Sequence, residues 1–368
     1  MRVVHVINRL LGGGAEVMVP QIHRELRGEG IESWIVSMET GDDRGTEAVR
    51  SFGRRLPRWR EPTRLRRELV ALAKERGPID VLHTHLTQSQ LFTPWAARAL
   101  RPRPALVTTE HDTANRRTGK AWLRGFDRGL YRPYDRIACI SEGVAAMMRS
   151  WQPTTADRLR VLPNGVDLRP YRNLARTGRA PGAPLRLLSV GRLIPKKNHR
   201  LLVEALAPLR GLPWQLTIVG EEESPSWLRG ELERAIAEAE LSDRIHLPGY
   251  ASDPLPYYAE ADLFVLPSLW EGFGLVAVEA MAAGLPVLAS EVPGLAEVVG
   301  REGACGQLLP AGDPEAWRQA LQSILADPES LEPRRAPARQ RAEHFSIEKT
   351  ATAYAALYRE CLEGGRGG

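Results

Sequence analysis

The chain has 368 residues, of which 43% are hydrophobic and 26% are charged, and its formal net charge is +5. This composition is typical of a soluble globular protein, and the length exceeds what one hydrophobic core usually supports, so two domains are expected. Three scattered cysteines, Cys139, Cys305 and Cys361, exclude a disulfide framework and a zinc-ligand spacing. Because no long apolar run is present, we expect neither a signal peptide nor a membrane span, and we place the protein in the cytoplasm.

The net charge conceals an asymmetry between the two halves. Residues 1–180 hold 32 Lys and Arg against 19 Asp and Glu, a net charge of +13, whereas residues 181–368 hold 18 against 26, a net charge of −8. Two interpretations stay open. The halves are two differently solvated domains, or the basic half faces a polyanion such as an anionic membrane surface or a nucleic acid.

The first half alternates short apolar runs with helical patterns. A helix opens at 12–16, runs to about Arg27 and stops at Gly28 and Gly30, and a second helix spans about 63–74. The predicted strands are VVHVI (3–7), SWIVSM (33–38), DVLHTH (80–85), ALVTTEH (105–111) and RIACIS (136–141), and LRVLPNGVD (159–167) ends the half. This alternation favours a parallel sheet that is covered by helices on both faces.

A linker rich in Gly, Pro and Arg follows at 172–184, and the pattern then restarts. The predicted strands are LRLLSVG (185–191), QLTIVG (215–220), RIHLPGY (244–250), LFVLPS (263–268) and LPVLAS (285–290), with helices near 198–209, 227–240, 253–261, 274–283 and 314–326. We therefore predict an α/β protein with two Rossmann-like domains, residues 1–175 and 176–345, and an amphipathic C-terminal helix at 346–368. Ligands of such sheets bind at the carboxyl ends of strands, and two domains face to face form a cleft there.

Two loops after predicted strands carry candidate anion-binding residues. In GRLIPKKNH (191–199), Arg192, Lys196 and Lys197 suit a diphosphate, although a solvated loop would have similar charges. In the stretch 269–290, Gly274 and Leu275 open a helix whose N-terminus suits an anion.

Two glutamates bracket this helix start, eight positions apart in an otherwise apolar stretch. Glu279, about 7 Å along the helix, suits two vicinal hydroxyls, as on a ribose. Glu271, before the helix, suits a sugar beyond the diphosphate. A surface position for Glu279 and a capping role for Glu271 are the alternatives.

Two further features of the first half are less specific. The glycines at 12–14 allow close approach of a ligand to the backbone, but they match neither a dinucleotide-binding nor a P-loop motif. TEHDT (109–113) places His111 at a strand end, beside Asp112, and His83 and His85 share one strand face. A metal site at these residues is an alternative that no ligand motif supports.

Several motifs together resemble those of a known family. They are Gly13-Gly14-Ala15-Glu16, His111, Cys139-Ile140-Ser141, Pro163-Asn164-Gly165-Val166-Asp167, Gly191-Arg192 with Lys197, and Glu271-Gly272-Phe273-Gly274-Leu275 through Glu279. The chain resembles the retaining glycosyltransferases of family 4, also called group 1, over essentially its whole length. The pair of glutamates around the Gly-Phe-Gly turn is the most specific element.

The resemblance implies the GT-B fold and a role for each matching residue. Arg192 and Lys197 would hold the donor diphosphate, Glu279 the donor ribose and Glu271 the transferred sugar. Backbone amides at Phe273, Gly274 and Leu275 would contact the phosphate or the sugar. His111 would form a hydrogen bond with the donor sugar, and Gly13 and Gly14 would leave room for phosphate and acceptor. The tail helix would cross back onto the first domain.

The resemblance also implies the reaction, which is transfer of a sugar from a UDP- or GDP-linked donor to a glycan or lipid-linked glycan. Positive side chains and the helix N-terminus can stabilise the departing diphosphate, so we expect no metal and no cofactor. The family retains the anomeric configuration, and the resemblance implies a role in cell-envelope polysaccharide or glycolipid synthesis. The alternatives are an epimerase of the same fold and a basic nucleic-acid-binding protein, although the latter leaves 269–290 without a purpose and nucleic acid is not the partner we predict.

Arginines and large apolar residues are interleaved in two segments of the first half. RRLPRWREPTRLRR (54–67) carries seven arginines, and RRTGKAWLRGFDRGLYR (116–132) carries Trp122, Phe126 and Tyr131. This mixture suits an anionic bilayer surface. We therefore predict a peripheral protein on the inner face of the cytoplasmic membrane, with an arginine-rich solvated surface as the alternative.

Overall fold

The computed structural model describes residues 1–10, 13–39, 49–51, 60–113, 120–180, 182–222 and 227–364. The chain divides into two compact units. Unit 1 comprises Met1–Asp167 and Ile347–Gly368, and unit 2 comprises Leu168–Ser346. Among the described residues, no helix combines the length and the apolar character needed to cross a bilayer.

Unit 1 is built on a parallel sheet of seven strands in the order β3-β2-β1-β4-β5-β6-β7. The strands are β1 (Arg2–Ile7), β2 (Glu32–Ser37), β3 (Val49–Ser51), β4 (Val81–His85), β5 (Ala105–Glu110), β6 (Arg136–Cys139) and β7 (Leu159–Val161). Every residue of the central strand β4 is buried, which is typical of a parallel sheet that is covered on both faces.

Unit 2 is built on a parallel sheet of six strands in the order β10-β9-β8-β11-β12-β13. The strands are β8 (Leu185–Val190), β9 (Trp214–Val219), β10 (Ile245–Gly249), β11 (Leu263–Leu266), β12 (Val287–Ser290) and β13 (Gly306–Leu309). In both sheets the chain starts in the middle, builds one side and then crosses to build the other. This is the doubly wound order of Rossmann-like folds, so the prediction of two such domains is confirmed.

The helices lie between the strands or follow them. In chain order they are α1 (Gly14–Gly28), α2 (Glu61–Arg76), α3 (Thr87–Ala97), α4 (Arg124–Tyr131), α5 (Glu142–Trp151), α6 (Arg169–Arg172), α7 (His199–Leu206), α8 (Leu228–Glu238), α9 (Leu255–Glu260), α10 (Leu275–Ala282), α11 (Pro293–Val299), α12 (Pro314–Ala326), α13 (Glu332–Ala342) and α14 (Ile347–Gly364). Helices α2 and α3 pack against each other, and the usual right-handed crossovers would place α2, α3 and α4 on one face of the first sheet.

The C-terminal helix α14 is part of the core of unit 1, as predicted. Its residues Ile347, Tyr354 and Tyr358 are fully buried and belong to the same apolar cluster as residues of α1 and of strands β1 and β4. The hydroxyl of Thr350 donates to the carbonyl of Pro163 at 2.9 Å, which ties the start of the helix to the end of the first half.

The unit boundary lies earlier than the predicted position between residues 175 and 176. Helix α6 belongs to unit 2 because the Tyr171 ring packs edge-on against Tyr258, with centroids 5.8 Å apart. Arg172 forms an ion pair with Glu343 at 2.9 Å. The linker residues that follow are also tied to unit 2, since Arg176 donates to the carbonyl of Ala261 at 2.6 Å.

Several local predictions differ from the structure. The strand predicted through Ser141 ends at Cys139, because the Ser141 hydroxyl instead accepts from the Val144 N–H and caps α5. The predictions also lacked β3, β13, α11 and α13. Strand β13 contains Gly306, where a Cβ atom would lie 2.1 Å from the carbonyl oxygen of Val287, so packing against β12 outweighs the poor strand propensity of glycine.

Candidate functional site

The donor-site candidates of unit 2 lie where the winding of its sheet reverses. Strand β8 pairs with β9 on one side and with β11 on the other, so the loops after β8 and β11 diverge at their carboxyl ends. This is the place where open α/β sheets bind ligands. The loop after β8 holds Arg192 and Lys197, and the segment after β11 holds Glu271 and the Gly-Phe-Gly turn.

The loop after β8 is compact and bends Lys197 back over its own start. A one-turn helix spans Pro195–Lys197, and Asn198 is left-handed with φ 49° before α7 begins. A Cβ atom on Gly191 would lie 3.1 Å from Cε of Lys197, so the lysine stem covers this glycine. The carbonyl of Lys196 accepts from the N–H of Leu269 at 2.8 Å, which joins this loop to the segment after β11.

Several polar side chains of this site contact Glu271. Lys197 Nζ donates to its Oε1 at 2.7 Å, Ser268 Oγ donates to the same oxygen at 3.1 Å, and Lys196 Nζ lies 3.4 Å from Oε2. Burial would raise the pKa of this carboxyl, but attraction to Lys197 and Lys196 and the hydrogen bonds outweigh it, so its pKa is lowered. Glu271 is therefore an ionised, buried carboxylate that is held by two cations.

The Gly-Phe-Gly turn is fixed by packing from two sides. Gly274 has φ 100°, and a Cβ atom there would lie 2.4 Å from Cδ2 of Leu295, so both conformation and space require glycine. A Cβ atom on Gly294 would lie 2.6 Å from the carbonyl oxygen of Glu271, so α11 presses directly on the turn. The Phe273 side chain is buried against Phe345, which leaves only its backbone amide for a ligand.

Helix α10 begins at Leu275, directly after Gly274, and carries Glu279 in its second turn. Glu279 Oε2 accepts a hydrogen bond from the hydroxyl of Tyr258 at 2.8 Å. Burial raises the pKa of Glu279, although the Tyr258 hydrogen bond and the charge of Lys197 oppose that shift. Lys197 thus acts electrostatically on both glutamates, and the structure brings Lys197, Glu271 and Glu279 into one site. Arg192 lies partly exposed at the start of the same loop.

The candidates of unit 1 lie on a separate sheet. Gly13 and Gly14 follow β1, whose pairing with β2 and β4 makes it the reversal point of that sheet. A Cβ atom on Gly13 would lie 2.5 Å from Oε2 of Glu16, which itself pairs with Arg9 at 3.0 Å. His111 follows the end of β5, and burial lowers its pKa to about 4. His111 is therefore a neutral imidazole at pH 7.

Histidines of two neighbouring strands meet beside these residues. His5 Nδ1 lies 3.1 Å from His85 Nε2, and the two nitrogens of His83 are bonded to the hydroxyls of Tyr358 and Thr109, each at 2.7 Å. In the described part of the chain, His5, His83 and His85 are the group with the spacing of metal ligands. The metal-site alternative placed Asp112 with His83 and His85, whereas the structure places His5 beside these two histidines. Both nitrogens of His83 are already hydrogen-bonded, whereas His5 Nε2 and His85 Nδ1 are buried without a hydrogen-bond partner among the described residues.

Two contacts of this candidate site in unit 2 were not predicted from the sequence. Ser268 lies three residues before Glu271 in the sequence, and this short separation could have indicated the hydrogen bond between their side chains. Tyr258 stands 21 residues before Glu279 on another helix, and no local pattern pairs them. Tertiary packing alone reveals that contact.

Family models match both halves of the chain. The model described as "Glycosyltransferase Family 4" matches residues 12–169, and the model described as "Glycosyl transferases group 1" matches residues 172–343. Among curated relatives, the D-inositol 3-phosphate glycosyltransferase of Nocardia farcinica is 30% identical over 86% of this chain and 70% of its own length. The phosphatidyl-myo-inositol mannosyltransferase of Mycobacterium leprae is 29% identical over 85% of this chain and 84% of its own.

Solved structures share the fold across the chain. The Anabaena protein HepE, in complex with UDP-glucose, superimposes with a TM-score of 0.84 at 20% identity, covering 98% of this chain and 100% of that one. The sucrose-phosphate synthase of Thermosynechococcus elongatus gives a TM-score of 0.83 at 24% identity, covering 99% and 100%.

Proposed function

This chain is a member of glycosyltransferase family 4 and a glycosyltransferase of the GT-B fold, and we propose that it transfers a sugar from a UDP- or GDP-linked donor to a glycan or lipid-linked glycan. One observation carries the choice of donor. The buried Lys197–Glu271 pair lies beside the start of the helix that bears Glu279, at the reversal point of the second sheet.

The charges of this site match the parts of a nucleoside-diphosphate sugar. Lys197, with Arg192 in the same loop, would neutralise the diphosphate, and the N-terminus of α10 adds N–H donors. The carboxylate of Glu279 would accept from the two ribose hydroxyls. Glu271 would accept from hydroxyls of the transferred sugar, and its lowered pKa supports this role because the acceptor form stays ionised in mildly acidic solution.

The reaction that we propose retains the configuration of the sugar. The bond between the anomeric carbon and the diphosphate oxygen breaks, a bond to the acceptor oxygen forms on the same face, and the acceptor proton passes to the departing phosphate oxygen. Lys197, Arg192 and the helix N-terminus would stabilise the charge on the leaving group, so a metal ion is not required. His111 would bond the donor sugar, and Gly13 and Gly14 would leave room for phosphate and acceptor.

Nucleotide binding tests this proposal with full-length protein in buffer that contains EDTA. At a concentration of 100 times Kd, UDP or GDP should add about 2.7 kcal/mol of stability, which is an increase in Tm of roughly 5–10 °C for a unit of this size. A single-stranded oligonucleotide should give no increase. An increase with the oligonucleotide alone would overturn the proposed UDP- or GDP-linked donor, and an increase that needs added Mg²⁺ or Mn²⁺ would overturn metal independence. A panel of nucleotide sugars then separates transfer or hydrolysis from epimer formation.

The acceptor is proposed to be a glycan or glycolipid of the cell envelope. The relatives that this chain matches include enzymes whose names specify inositol phosphate and phosphatidyl-inositol acceptors. We propose that this protein works at the inner face of the cytoplasmic membrane and binds there peripherally. The support comes from unit 1, which holds 31 Lys and Arg against 22 Asp and Glu, whereas unit 2 has a net negative charge.

The helical face formed by α2, α3 and α4 supports membrane binding. A groove of about 640 Å³ between α2 and α3 is lined by Arg66, Arg67, Lys74 and Trp95, and the Arg66 guanidinium lies 5.3 Å from the centre of the Trp95 ring. In the same unit, the Trp122 side chain beside α4 is 77% exposed. Basic groups beside exposed aromatic rings suit an anionic lipid surface. The arginines at 54–58 and Trp59 lie outside the described residues.

Liposome sedimentation tests membrane binding. We expect the wild-type protein to pellet with vesicles that contain anionic lipid, to be released by salt, and to stay in solution when Arg58, Arg60, Arg64 and Arg67 become Ser, because each cation near the surface adds about 1 kcal/mol. The matched control removes four exposed arginines of unit 2, Arg200, Arg210, Arg234 and Arg301, and should pellet like the wild type. Equal recovery in the supernatant with neutral and anionic vesicles at low salt would contradict the proposal.

A further inference from the structure

We propose that Tyr258 is a positioning residue for the donor ribose, acting by fixing the carboxylate of Glu279, and that it sets the preference of the site for a nucleotide with free ribose hydroxyls. This inference rests on the proposed function, because it assigns the ribose to Glu279. Tyr258 itself would not touch the donor. Its contribution would pass through the hydrogen bond from its hydroxyl to Glu279 Oε2, which is 2.8 Å long.

The Tyr258 side chain is held rigidly. It is fully buried, and its ring packs edge-on against Tyr171, with centroids 5.8 Å apart, and tilted against Phe264 at 6.0 Å. Its hydroxyl therefore points to one place, which is the carboxylate on the neighbouring helix α10. Tyr258 comes from α9, so the bond ties two helices together at the site.

Glu279 needs a hydrogen-bond donor such as the Tyr258 hydroxyl because its buried environment disfavours the ionised carboxylate. Burial raises the pKa of this carboxyl, and the hydrogen bond from Tyr258 is the first of the two effects that lower it again. The bond thus favours the ionised form, which accepts hydrogen bonds from hydroxyls without donating any.

The bond also decides which oxygen is available to a ligand. With Oε2 accepting from Tyr258, Oε1 keeps both of its lone pairs for a pair of vicinal hydroxyls. Without Tyr258, the terminal torsion of the glutamate is broad, and the carboxylate would have to be ordered when the ligand binds. Ordering a side chain at that moment weakens binding, so the loss should fall on ligands that bind Glu279 and spare those that do not.

Calorimetric titration of the full-length protein separates positioning from a general structural role. The probes are the nucleoside diphosphate that raises Tm, UDP or GDP, and its 2′,3′-dideoxy analogue, which lacks both hydroxyls that Glu279 would bind. In the wild type, Kd should be at least about tenfold higher for the analogue. In Tyr258→Phe, Kd for the ribonucleotide should rise about tenfold while Kd for the analogue stays within about twofold, so the two values converge.

Matched variants make each outcome decisive. Tyr257→Phe, at the neighbouring position of α9, should keep the wild-type ratio of the two Kd values, and Glu279→Gln should lose the discrimination as Tyr258→Phe does. Equal weakening of both ligands in Tyr258→Phe would show a merely structural role and overturn the inference, as would an unchanged ratio. If the wild-type protein bound neither UDP nor GDP, the proposed function would fail and this inference with it, which is a distinct result.

Discussion

Replacing Lys197 with alanine is expected to lower sugar transfer by about ten- to hundredfold and also to destabilise unit 2 by about 3 kcal/mol. The first effect would follow, under the proposed function, from the loss of a charged contact to the diphosphate, which is worth about 1.5–3 kcal/mol. The second follows from the pairing of Lys197 with Glu271, whose side chains are only 13% and 8% exposed. Removing one partner of a buried ion pair leaves the other charge uncompensated and costs about 3–5 kcal/mol.

The lower end of that range applies because Lys196 stays 3.4 Å from Glu271 Oε2. A loss of about 3 kcal/mol lowers the Tm of a unit of this size by roughly 6–12 °C. The sequence alone predicts a loss of activity with little loss of stability for Lys197→Ala, because it does not reveal the contact with Glu271. The structure changes the stability part of that expectation.

A second substitution separates the two effects. In Lys197→Ala combined with Glu271→Gln, the buried carboxylate is removed with its partner and only Lys196, whose side chain is 18% exposed, loses an ion pair. Thermal unfolding should therefore recover part of the lost Tm while transfer stays at least as low as in the single variant. Glu279→Ala gives the contrast. It should lower transfer similarly but cost less stability, about 1–3 kcal/mol, because the main loss is the acceptor of the buried Tyr258 hydroxyl. Wild-type kinetics in Lys197→Ala and Glu279→Ala would contradict the site assignment.

The sequence predicts the scaffold of the site well, for a simple physical reason. The buried strands of a parallel sheet are short apolar runs, and the loops after them are where polar and glycine residues collect. The loop with Arg192 and Lys197 and the turn before Leu275 therefore stand out. Once the sheet order is known, both loops fall at its reversal point.

The contacts within the site could not be predicted in the same way. The Lys197–Glu271 bond joins residues 74 positions apart, and the Tyr258–Glu279 bond joins two helices that meet only through the packing of unit 2. Neither contact has a periodicity to indicate it. The unit boundary was misplaced for a related reason, because the Tyr171 ring docks on a residue far along the chain.

The histidines of unit 1 illustrate both what the sequence predicts and what it does not predict. The alternation of side chains along a strand predicts that His83 and His85 share a face. It does not predict His5, which joins them because β1 pairs with β4 in a register that places His5 opposite His83. The resulting cluster is fully buried, and this has a large consequence for stability.

Unit 1 is expected to lose stability steeply as the pH falls from 6.5 toward 5. Burial lowers the pKa of His5 to about 3 and of His23 and His111 to about 4, and it holds the pKa values of His83 and His85 well below their usual range. In the unfolded chain each imidazole titrates near pH 6.5, so below that pH the unfolded state binds more protons than the native state. The stability contributed by the neutral native imidazoles is therefore fully present above pH 6.5 and is lost on acidification.

The magnitude follows from proton linkage. Each imidazole that protonates only on unfolding reduces the free energy of unfolding by about 1.4 kcal/mol per pH unit below 6.5, and five such groups set an upper limit of about 7 kcal/mol per unit. Unit 2 holds one comparable group, His199, whose pKa burial lowers to about 3, so its loss should be several-fold smaller. Urea unfolding at pH 8, 7, 6 and 5, followed by hydrogen exchange to resolve the units, measures both slopes. His23→Gln should remove about one proton from the slope of unit 1, whereas His246→Gln, which changes an exposed histidine of unit 2, serves as the control. A free energy of unfolding for unit 1 that stays level between pH 7 and pH 5 would contradict the expectation that these buried imidazoles are neutral.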